Sequence, residues 1–429
     1  MDLRAEFPEL PASLLWKTEL LFRGIRFSDA LAAAAAEGAA PNFWPYRRRD
    51  AYGGTEAVPV PYLFHLDGGG VARVRVDDAS PYRVGRAHPG APFALYSDDR
   101  DDDGGDGALC EVAFVPRHGW QDARTRDGLT PLEAGVEQLG DMVVVNVAPG
   151  CEYFRATADG KSLRCTYCGY GRFDHRARAL GQHPGQVDLD PAALARLDEV
   201  LRLVVGHAEV HHVYITGGSV LDPADETRRF LPVVEAVRRA VGDRLRVTIG
   251  CGAVDAPDSA RLRDAGADSA CYNLEVWDAA TFRAACPGKH AHVGRDRWLA
   301  ALHGAVDVFG RGNVASAMVA GLELRPPAPG MSAEAMLASI VEGATHLLDH
   351  GIVPVYSPLW PVPGTHYQPA DGISPAQYLA LEHAVYRLRE ARDFPIPAWL
   401  LCPGCSYMLL EVDFDRAFGL GAAPAGAGA

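Results

Sequence analysis

From residue 141 onward, short apolar segments alternate with amphipathic segments of helical period. The apolar segments have the length of strands and are apolar throughout, as a parallel sheet covered on both faces requires. They lie at residues 142–147, 213–218, 246–251, 269–275, 313–321, 353–359 and 398–402. The helical segments lie at residues 191–206, 225–241, 257–265, 295–309, 332–350 and 375–392. This pattern predicts an α/β fold, which we interpret as a (β/α)8 TIM-type barrel with one strand that the pattern does not reveal.

The residues on either side of this repeat have a different character. Residues 1–140 combine a helical segment at 13–38 with a strand-like segment at 58–66, which predicts an additional N-terminal α+β region. The barrel is predicted to cover residues 141–405. Residues 406–429 form a C-terminal tail whose last residues are small and apolar, and we expect its end to be disordered.

Composition narrows the class of protein. The chain has 429 residues, of which 48% are hydrophobic, enough to bury a large core. Its formal net charge of -14 argues against binding to nucleic-acid phosphates or to an anionic membrane surface. No apolar run approaches the ~20 residues of a membrane span, and the first residues lack the pattern of a signal peptide. We therefore expect a cytoplasmic protein that binds neither nucleic acid nor membrane.

The nine cysteines are unevenly placed. Cys151, Cys165 and Cys168 follow the first predicted strand, at the end of the barrel where active sites lie. Cys402 and Cys405 form a C-P-G-C segment near the C-terminus. Three thiolates can hold a cubane iron–sulfur cluster and leave one iron free to bind a small molecule. The alternative is a zinc site in which Cys165 and Cys168 join Cys402 and Cys405 as four thiolate ligands.

Several motifs, in the order in which they occur, resemble the radical S-adenosylmethionine (SAM) superfamily and, within it, the biotin synthase-like group. The resemblance covers roughly residues 141–405. It rests on C-T-Y-C at 165–168, T-G-G-S at 216–219, C-Y-N-L-E at 271–275, S-A-M-V-A-G-L-E at 316–323 and P-L-W-P-V-P-G-T at 358–365. The chain departs from the family pattern in two places, because thirteen residues rather than three separate Cys151 from Cys165 and Ser219 replaces a glutamate.

The resemblance implies a set of cofactors as well as a fold. A [4Fe-4S] cluster would be bound by Cys151, Cys165 and Cys168, and SAM by Tyr167, Gly217, Gly218, Ser219, Asn273, Glu275, Glu323 and Arg325. In the family, the reduced cluster cleaves SAM, and the radical that forms takes a hydrogen atom from the substrate. The electron would come from a donor such as flavodoxin or ferredoxin. The substrate would be a small molecule, and the outcome a rearrangement, a bond formation or a hydrogen-atom redox step in a biosynthetic pathway.

Biotin synthase itself is not expected. By strand alignment, the positions that would hold its second, sulfur-donating cluster are occupied by Tyr214, Thr248, Ala315 and, approximately, Leu400. None of these residues is a cysteine or an arginine, so the resemblance implies the fold and the generation of a radical only.

Three further cysteines are predicted to act at the same site. Cys402 ends the last predicted strand and Cys405 follows it, which places both at the mouth of the barrel. Strand periodicity puts Cys271 on the lumen face and Cys251 on the outer face. For Cys402 and Cys405 the alternatives are an auxiliary iron–sulfur cluster, a redox dithiol or a thiol that returns a hydrogen atom to a substrate radical.

For the protein as a whole, the alternative to a radical SAM enzyme is a zinc-stabilised barrel that acts as a binding or scaffold protein.

Overall fold

The computed structural model describes residues 3–41, 46–49, 54–98, 107–147, 150–154, 160, 162–169, 190–207, 209–360, 365–367 and 372–420. The strands are β1 Tyr46–Arg49, β2 Thr55–Val58, β3 Leu63–Leu66, β4 Val71–Arg73, β5 Tyr82–Gly85, β6 Ala94–Ser97, β7 Ala108–Phe114, β8 Val136–Leu139, β9 Met142–Asn146, β10 His212–Thr216, β11 Arg246–Gly250, β12 Ser269–Cys271, β13 Val314–Ala320 and β14 Val353–Pro358. The α-helices are α1 Leu3–Glu6, α2 Ala12–Arg23, α3 Asp29–Ala36, α4 Pro191–Val204, α5 Ala224–Val241, α6 Ala256–Asp264, α7 Ala279–Ala285, α8 Pro287–His292, α9 Arg295–Phe309, α10 Ala333–Asp349, α11 Pro375–Glu390, α12 Pro403–Ser406 and α13 Glu411–Phe418. Short 3-10 helices occur at Gly119–Asp122, Glu152–Phe154, Gly242–Arg244, Leu322–Leu324 and Ala398–Leu400.

The main sheet is curled into a half-barrel. Its strand order is β14-β13-β12-β11-β10-β9-β8, in which β9 to β14 are parallel and β8 pairs with β9 in the antiparallel direction. Six of the seven predicted strands are therefore present. In the part of the chain that the structure describes, the sheet is open and does not form the predicted closed (β/α)8 barrel.

The seventh predicted strand, at 398–402, is wrong. Residues Ala398–Leu400 form a 3-10 helix instead. Pro395 and Pro397 precede this segment and Pro403 follows it. Proline has no N–H for a strand ladder, so the prolines on both sides limit any strand here to the five residues between Pro397 and Pro403.

The predicted boundary between residues 140 and 141 falls inside a hairpin. β8 pairs with β9 from Val136 opposite Val145 to Leu139 opposite Met142, so the main sheet begins before residue 141. At the other end, α13 is packed into the protein, and Phe414 at its centre is fully buried. Residues 406–420 are thus part of the fold, and the predicted disordered end, residues 421–429, lies outside the described residues.

The N-terminal region contains a five-stranded antiparallel sheet of order β4-β3-β7-β6-β5. The single helix predicted at 13–38 is interrupted, because Ile25 and Arg26 form bridges with Val76 and Arg83 and so join the sheet between α2 and α3. The single strand predicted at 58–66 is likewise split into β2 and β3. Prolines 59 and 61 lie at the break, where they cannot donate ladder hydrogen bonds.

The two faces of the main sheet bury different cores. Val213 and Ile215 on β10 face the helices and belong to the largest hydrophobic cluster. Cys271, Val355 and Trp399 belong to a second cluster that fills the lumen. Trp399 comes from the C-terminal segment, and its ring N–H donates a 2.9 Å hydrogen bond to the carbonyl of Gly312, just before β13. The C-terminal segment therefore covers the lumen at the amino-terminal ends of the strands, although it adds no strand to the sheet.

No helix in the described residues is long and apolar enough to cross a membrane.

Candidate active site

A cavity of about 260 Å³ lies at the carboxyl-terminal ends of the parallel strands. Thr216 and Gly250, the last residues of β10 and β11, are part of its wall. The predicted residues that line it are Cys151, Cys165, Tyr167, Cys168, Gly217, Gly218, Ser219, Asn273 and Glu275. The structure therefore brings together three cysteines and two motifs that are spread over more than 100 residues of the sequence, from Cys151 to Glu275.

The turn after β10 packs directly on Cys151. A Cβ atom on Gly218 would lie 2.3 Å from the carbonyl oxygen of Gly150 and 2.5 Å from the Cβ of Cys151, so only glycine fits at this position. The backbone N–H of Glu152 donates a 2.9 Å hydrogen bond to the carbonyl of Ser219. These contacts hold the first cysteine at the edge of the cavity.

The segment with Cys165 and Cys168 is held by hydrogen bonds from three sides. The Thr166 N–H donates to the Ala285 carbonyl at 2.9 Å, at the end of α7. The Gly288 N–H donates to the Leu163 carbonyl at 2.9 Å, at the start of α8. The His366 N–H donates to the Thr166 carbonyl at 2.8 Å. Because its backbone is fixed, the C-x2-C turn presents both thiols to the cavity.

The thiols of this cavity differ in their electrostatic environment. Burial raises the pKa of Cys151 to about 11. A hydrogen bond with Cys286 lowers the pKa of Cys165, although burial opposes this effect. Cys286 lies between α7 and α8, fully buried, with its sulfur 3.8 Å from the Tyr167 hydroxyl. The sequence analysis assigned no role to Cys286, and nothing in its spacing indicated this contact.

Glu275 occupies an unusual backbone position. It has a positive φ of 75°, and it forms a bridge with Met318 on β13. Its N–H donates to the Ala317 carbonyl at 3.1 Å, and its own carbonyl accepts from Val319 at 2.8 Å. For a residue with a side chain, this region of φ is uncommon and is found where the surrounding structure holds it. Pairing with β13 through both its N–H and its carbonyl supplies that support, and the Glu275 side chain lines the cavity.

Lys289, which the sequence analysis did not identify, is the ion-pair partner of Glu275. Its ammonium group also donates a 2.8 Å hydrogen bond to the Asn273 carbonyl and lies 4.5 Å from the centre of the Trp298 ring. Burial acts to lower the pKa of Lys289, but its interactions with Glu275, Cys165 and Cys286 together outweigh burial and hold the pKa above its ordinary value. No spacing rule singles out this lysine, since it is on α8 and Glu275 follows β12.

Two predicted SAM-binding residues do not line this cavity. Glu323 is buried in the 3-10 helix Leu322–Leu324, where burial raises the pKa of its carboxyl to about 7. One of its carboxyl oxygens has no hydrogen-bond partner among the described residues. Arg325 is exposed at the surface. Of the predicted P-L-W-P-V-P-G-T segment, residues 361–364 lie outside the described residues.

Cys402 and Cys405 are at the wrong end of the half-barrel for the predicted role. They are joined by a disulfide and lie beside His212, the first residue of β10, with Cys405 Sγ 3.0 Å from His212 Nδ1. The prediction placed them at the mouth because it ended a strand at Cys402, and that strand does not exist. The four-cysteine zinc site with Cys165 and Cys168 is wrong for the same reason, since those residues are at the opposite ends of the strands.

Cys271 belongs to the hydrophobic cluster in the lumen. The Cys271 thiol donates a 3.0 Å hydrogen bond to the side-chain oxygen of Asn273. Among the described residues, the side chain that joins Cys402 and Cys405 in one group is His212 and not Cys271. Cys251 lines the cavity, contrary to its predicted outward direction. β11 ends at Gly250, so the alternation of a strand does not extend to this residue.

No protein-family model and no curated protein matches the sequence. Among solved structures, the chain is similar to HydG, a maturase of the [FeFe]-hydrogenase, with 16% identity over 58% of this chain and 49% of HydG and a TM-score of 0.40. It is similar to methylornithine synthase (PylB), with 18% identity over 70% of this chain and 78% of that one and a TM-score of 0.42. It is also similar to a radical SAM methyltransferase from Sphaerobacter thermophilus, with 14% identity over 75% of this chain and 77% of that one and a TM-score of 0.39. The chain spans about half the length of HydG.

Proposed function

We propose that the chain is a radical SAM enzyme that cleaves SAM reductively at a [4Fe-4S] cluster and takes a hydrogen atom from a small-molecule substrate. The observation that supports this proposal most is the composition of one cavity. The cavity is lined by the three cysteines that the family resemblance assigns to the cluster, Cys151, Cys165 and Cys168. It is also lined by the 217–219 turn and by Glu275, which the resemblance assigns to SAM.

The donor set of the cavity fits an iron–sulfur cluster. Thiolates are the usual protein ligands of such clusters, and three of them leave one iron available for a small molecule. The cavity wall also provides backbone groups at Gly217 and Ser219 and the carboxylate of Glu275, as a zwitterionic nucleoside ligand requires. When bound, the reduced cluster supplies the electron that breaks a carbon–sulfur bond of SAM and so starts hydrogen-atom abstraction.

The residues of the chain have binding and positioning roles in this proposal. The backbone of the 217–219 turn receives the SAM amine, and Tyr167 lies near the adenine. Glu275 accepts the ribose hydroxyls. Lys289 neutralises the charge of Glu275 and fixes its carboxylate, so that the acceptor is already in place before SAM binds. Two of the cluster cysteines are buried, which limits the access of water to the reactive centre.

The partners follow from this chemistry. A one-electron donor such as flavodoxin or ferredoxin reduces the cluster, and the substrate is a small molecule that reaches the cavity. The reaction that follows hydrogen abstraction is a rearrangement, a bond formation or a hydrogen-atom redox step. The biotin synthase-like group offers the pattern of motifs for this proposal but not the sulfur-donating cluster.

The test is to purify the protein without oxygen and measure iron, sulfide and the release of 5'-deoxyadenosine from SAM. We expect iron and sulfide for a cubane, and product only in the presence of a reductant. Replacing Cys165 or Cys168 by alanine should abolish both the cluster and SAM cleavage. Cys110→Ala is the matched control, since Cys110 is on β7 in the N-terminal sheet. A colourless protein, or a Cys165→Ala variant that still releases the product at the wild-type rate, would contradict the proposal.

A further inference from the structure

We propose that His212, Cys402 and Cys405 form a second metal site, for zinc, at the amino-terminal ends of the strands. One donor atom from each residue lies within 4.8 Å of the others. His212 Nδ1 is 3.0 Å from Cys405 Sγ and 3.9 Å from Cys402 Sγ. This group is separate from the cavity of the proposed active site, which lies at the other ends of the same strands.

The imidazole of His212 is held in the orientation that a metal ligand needs. It is almost completely buried, and its Nε2 is 2.6 Å from the Thr248 hydroxyl. The Thr248 oxygen is in turn 2.6 Å from the Ser269 hydroxyl. If Thr248 donates its proton to Ser269, it can accept one from Nε2, which leaves the lone pair of Nδ1 directed at the two sulfurs. Metal-binding histidines commonly have such a partner on the second ring nitrogen.

The C-P-G-C turn is fixed against the β8–β9 hairpin. The Gly404 N–H donates a 3.0 Å hydrogen bond to the Asp141 carboxylate. A Cβ on Gly404 would lie 1.8 Å from the Leu139 carbonyl oxygen, so only glycine allows this approach. The N–H of Cys405 donates to the carbonyl of Cys402 at 3.0 Å, which closes the turn. Both sulfurs are therefore on one side of the turn, next to His212.

Two thiolates and one imidazole are a typical ligand set for zinc. An iron–sulfur cluster needs more thiolates, and among the described residues no third cysteine belongs to this group. Cys402 and Cys405 are half-buried rather than enclosed, so a fourth ligand such as water can approach from solvent. Bound zinc would connect the C-terminal segment, which closes the half-barrel, to the first residue of β10.

Zinc binding and the disulfide are alternatives for the same two sulfurs. Reduction of the disulfide takes two electrons and two protons from a thiol reductant and gives two thiols. Binding of Zn²⁺ then releases both thiol protons. In the reverse direction, a small-molecule disulfide takes two electrons from the zinc-bound thiolates and becomes two thiolates, while the Cys402–Cys405 S–S bond forms and Zn²⁺ is released. The site is therefore occupied only under reducing conditions.

The test is to prepare the full-length protein with its cluster under reducing, oxygen-free conditions, add Zn²⁺, remove the excess and count metals by mass spectrometry. We expect about one zinc per chain in addition to the iron. The His212→Ala variant and the Cys402→Ser/Cys405→Ser double variant should lose the zinc and keep the iron. Cys110→Ser is the matched control and should keep both. Since iron and zinc are counted separately, failure of this site is distinct from failure of the proposed cluster.

A second measurement covers the case in which the variants do not fold. Wild-type protein loaded with Co²⁺ in place of zinc should show the intense absorption of tetrahedral cobalt thiolates, and oxidation to the disulfide should remove it. Zinc content unchanged in the variants, or no metal bound by the reduced wild type, would overturn the proposal. Iron in excess of one cubane that disappears in the double variant would also overturn it, in favour of an auxiliary cluster.

Discussion

Replacing Lys289 by methionine should destabilise the protein because it leaves a carboxylate buried without its counter-ion. The Lys289 side chain is 8% exposed and that of Glu275 is 15% exposed, so water can only partly replace the lost partner. Breaking a buried ion pair by removing one member typically costs about 3–5 kcal/mol. Part of this cost comes from the Asn273 carbonyl, which loses its 2.8 Å hydrogen bond with the lysine. We expect the free energy of unfolding to fall by a value in that range.

A double-mutant cycle separates the ion pair from the packing of the two side chains. Glu275→Gln alone removes the carboxylate partner of the buried Lys289 ammonium group, which keeps its contacts with the Asn273 carbonyl and the Trp298 ring. The Lys289→Met/Glu275→Gln double variant removes both charges and should be less destabilised than the sum of the single variants, by about 2–3 kcal/mol. The matched control is the exposed pair of Arg48 and Glu56, 48% and 59% exposed, whose coupling should be about 0–1 kcal/mol.

The assay is urea-induced unfolding followed by tryptophan fluorescence, with all variants brought to the same iron content. Trp298 is a suitable reporter because its ring is in contact with Lys289. A coupling free energy below about 0.5 kcal/mol, similar to that of the exposed pair, would refute the reasoning. It would mean that solvent reaches the Glu275 carboxylate and that Lys289 does not fix it.

Three other predictions concern positions outside this pair. Gly218→Ala should lower the iron content several-fold, because its Cβ would lie 2.5 Å from the Cβ of Cys151; iron at the wild-type level would show that the turn can move. Lys17→Met should lower the free energy of unfolding in urea by about 3–5 kcal/mol, because it removes the fully buried partner of Asp413, and an effect below about 1 kcal/mol would contradict this. The pKa of Glu323, about 7 in the folded protein, lies above its ordinary value, so its contribution to stability is complete below about pH 4.5 and is lost as the pH rises through about 7. Glu323→Gln should make the fall in the free energy of unfolding over this pH range smaller by about 3 kcal/mol, as measured by urea unfolding below pH 4.5 and above pH 7. If the variant showed the same pH dependence of stability as the wild type, Glu323 would be excluded as the cause.

The sequence predicted the parallel part of the fold well, for a physical reason. A strand covered on both faces is apolar throughout, and the helix that follows it has a different period, so the two are easy to distinguish. The predicted helices at 225–241 and 295–309 match α5 and α9 to within one residue. The antiparallel strand β8 was missed because Val136–Leu139 is short and half of it is polar. Its place at the edge is decided by its hairpin with β9, which no periodicity reveals.

Residues that follow a strand present in the sheet lie at the end of the sheet where they were expected. Residues that were placed at the end of the absent strand do not. Residues after the carboxyl ends of parallel strands lie at one end of the sheet, so Cys151 was expected there, and the family resemblance implied Gly218 and Glu275 at the same place. Cys402 was assigned to the same end by the same rule, but the rule was applied to a segment that lies between prolines and is a 3-10 helix rather than a strand. Lys289 could not have been found, because its contact with Glu275 arises from the way α8 packs beside β12.

The two ends of β10 give the molecule two chemically different sites that cannot share a ligand. His212 begins this strand and Thr216 ends it, and four residue steps of ~3.3 Å each separate them by about 13 Å. The space between the two ends is filled, since Tyr214 and Cys271 belong to the cluster that packs the lumen around Trp399. A thiol at Cys405 therefore cannot return a hydrogen atom to a substrate in the cavity. Cys151, Cys165 and Cys168, at the carboxyl-terminal ends, therefore belong to the proposed radical chemistry, and Cys402 and Cys405, at the amino-terminal ends, belong to the proposed zinc site.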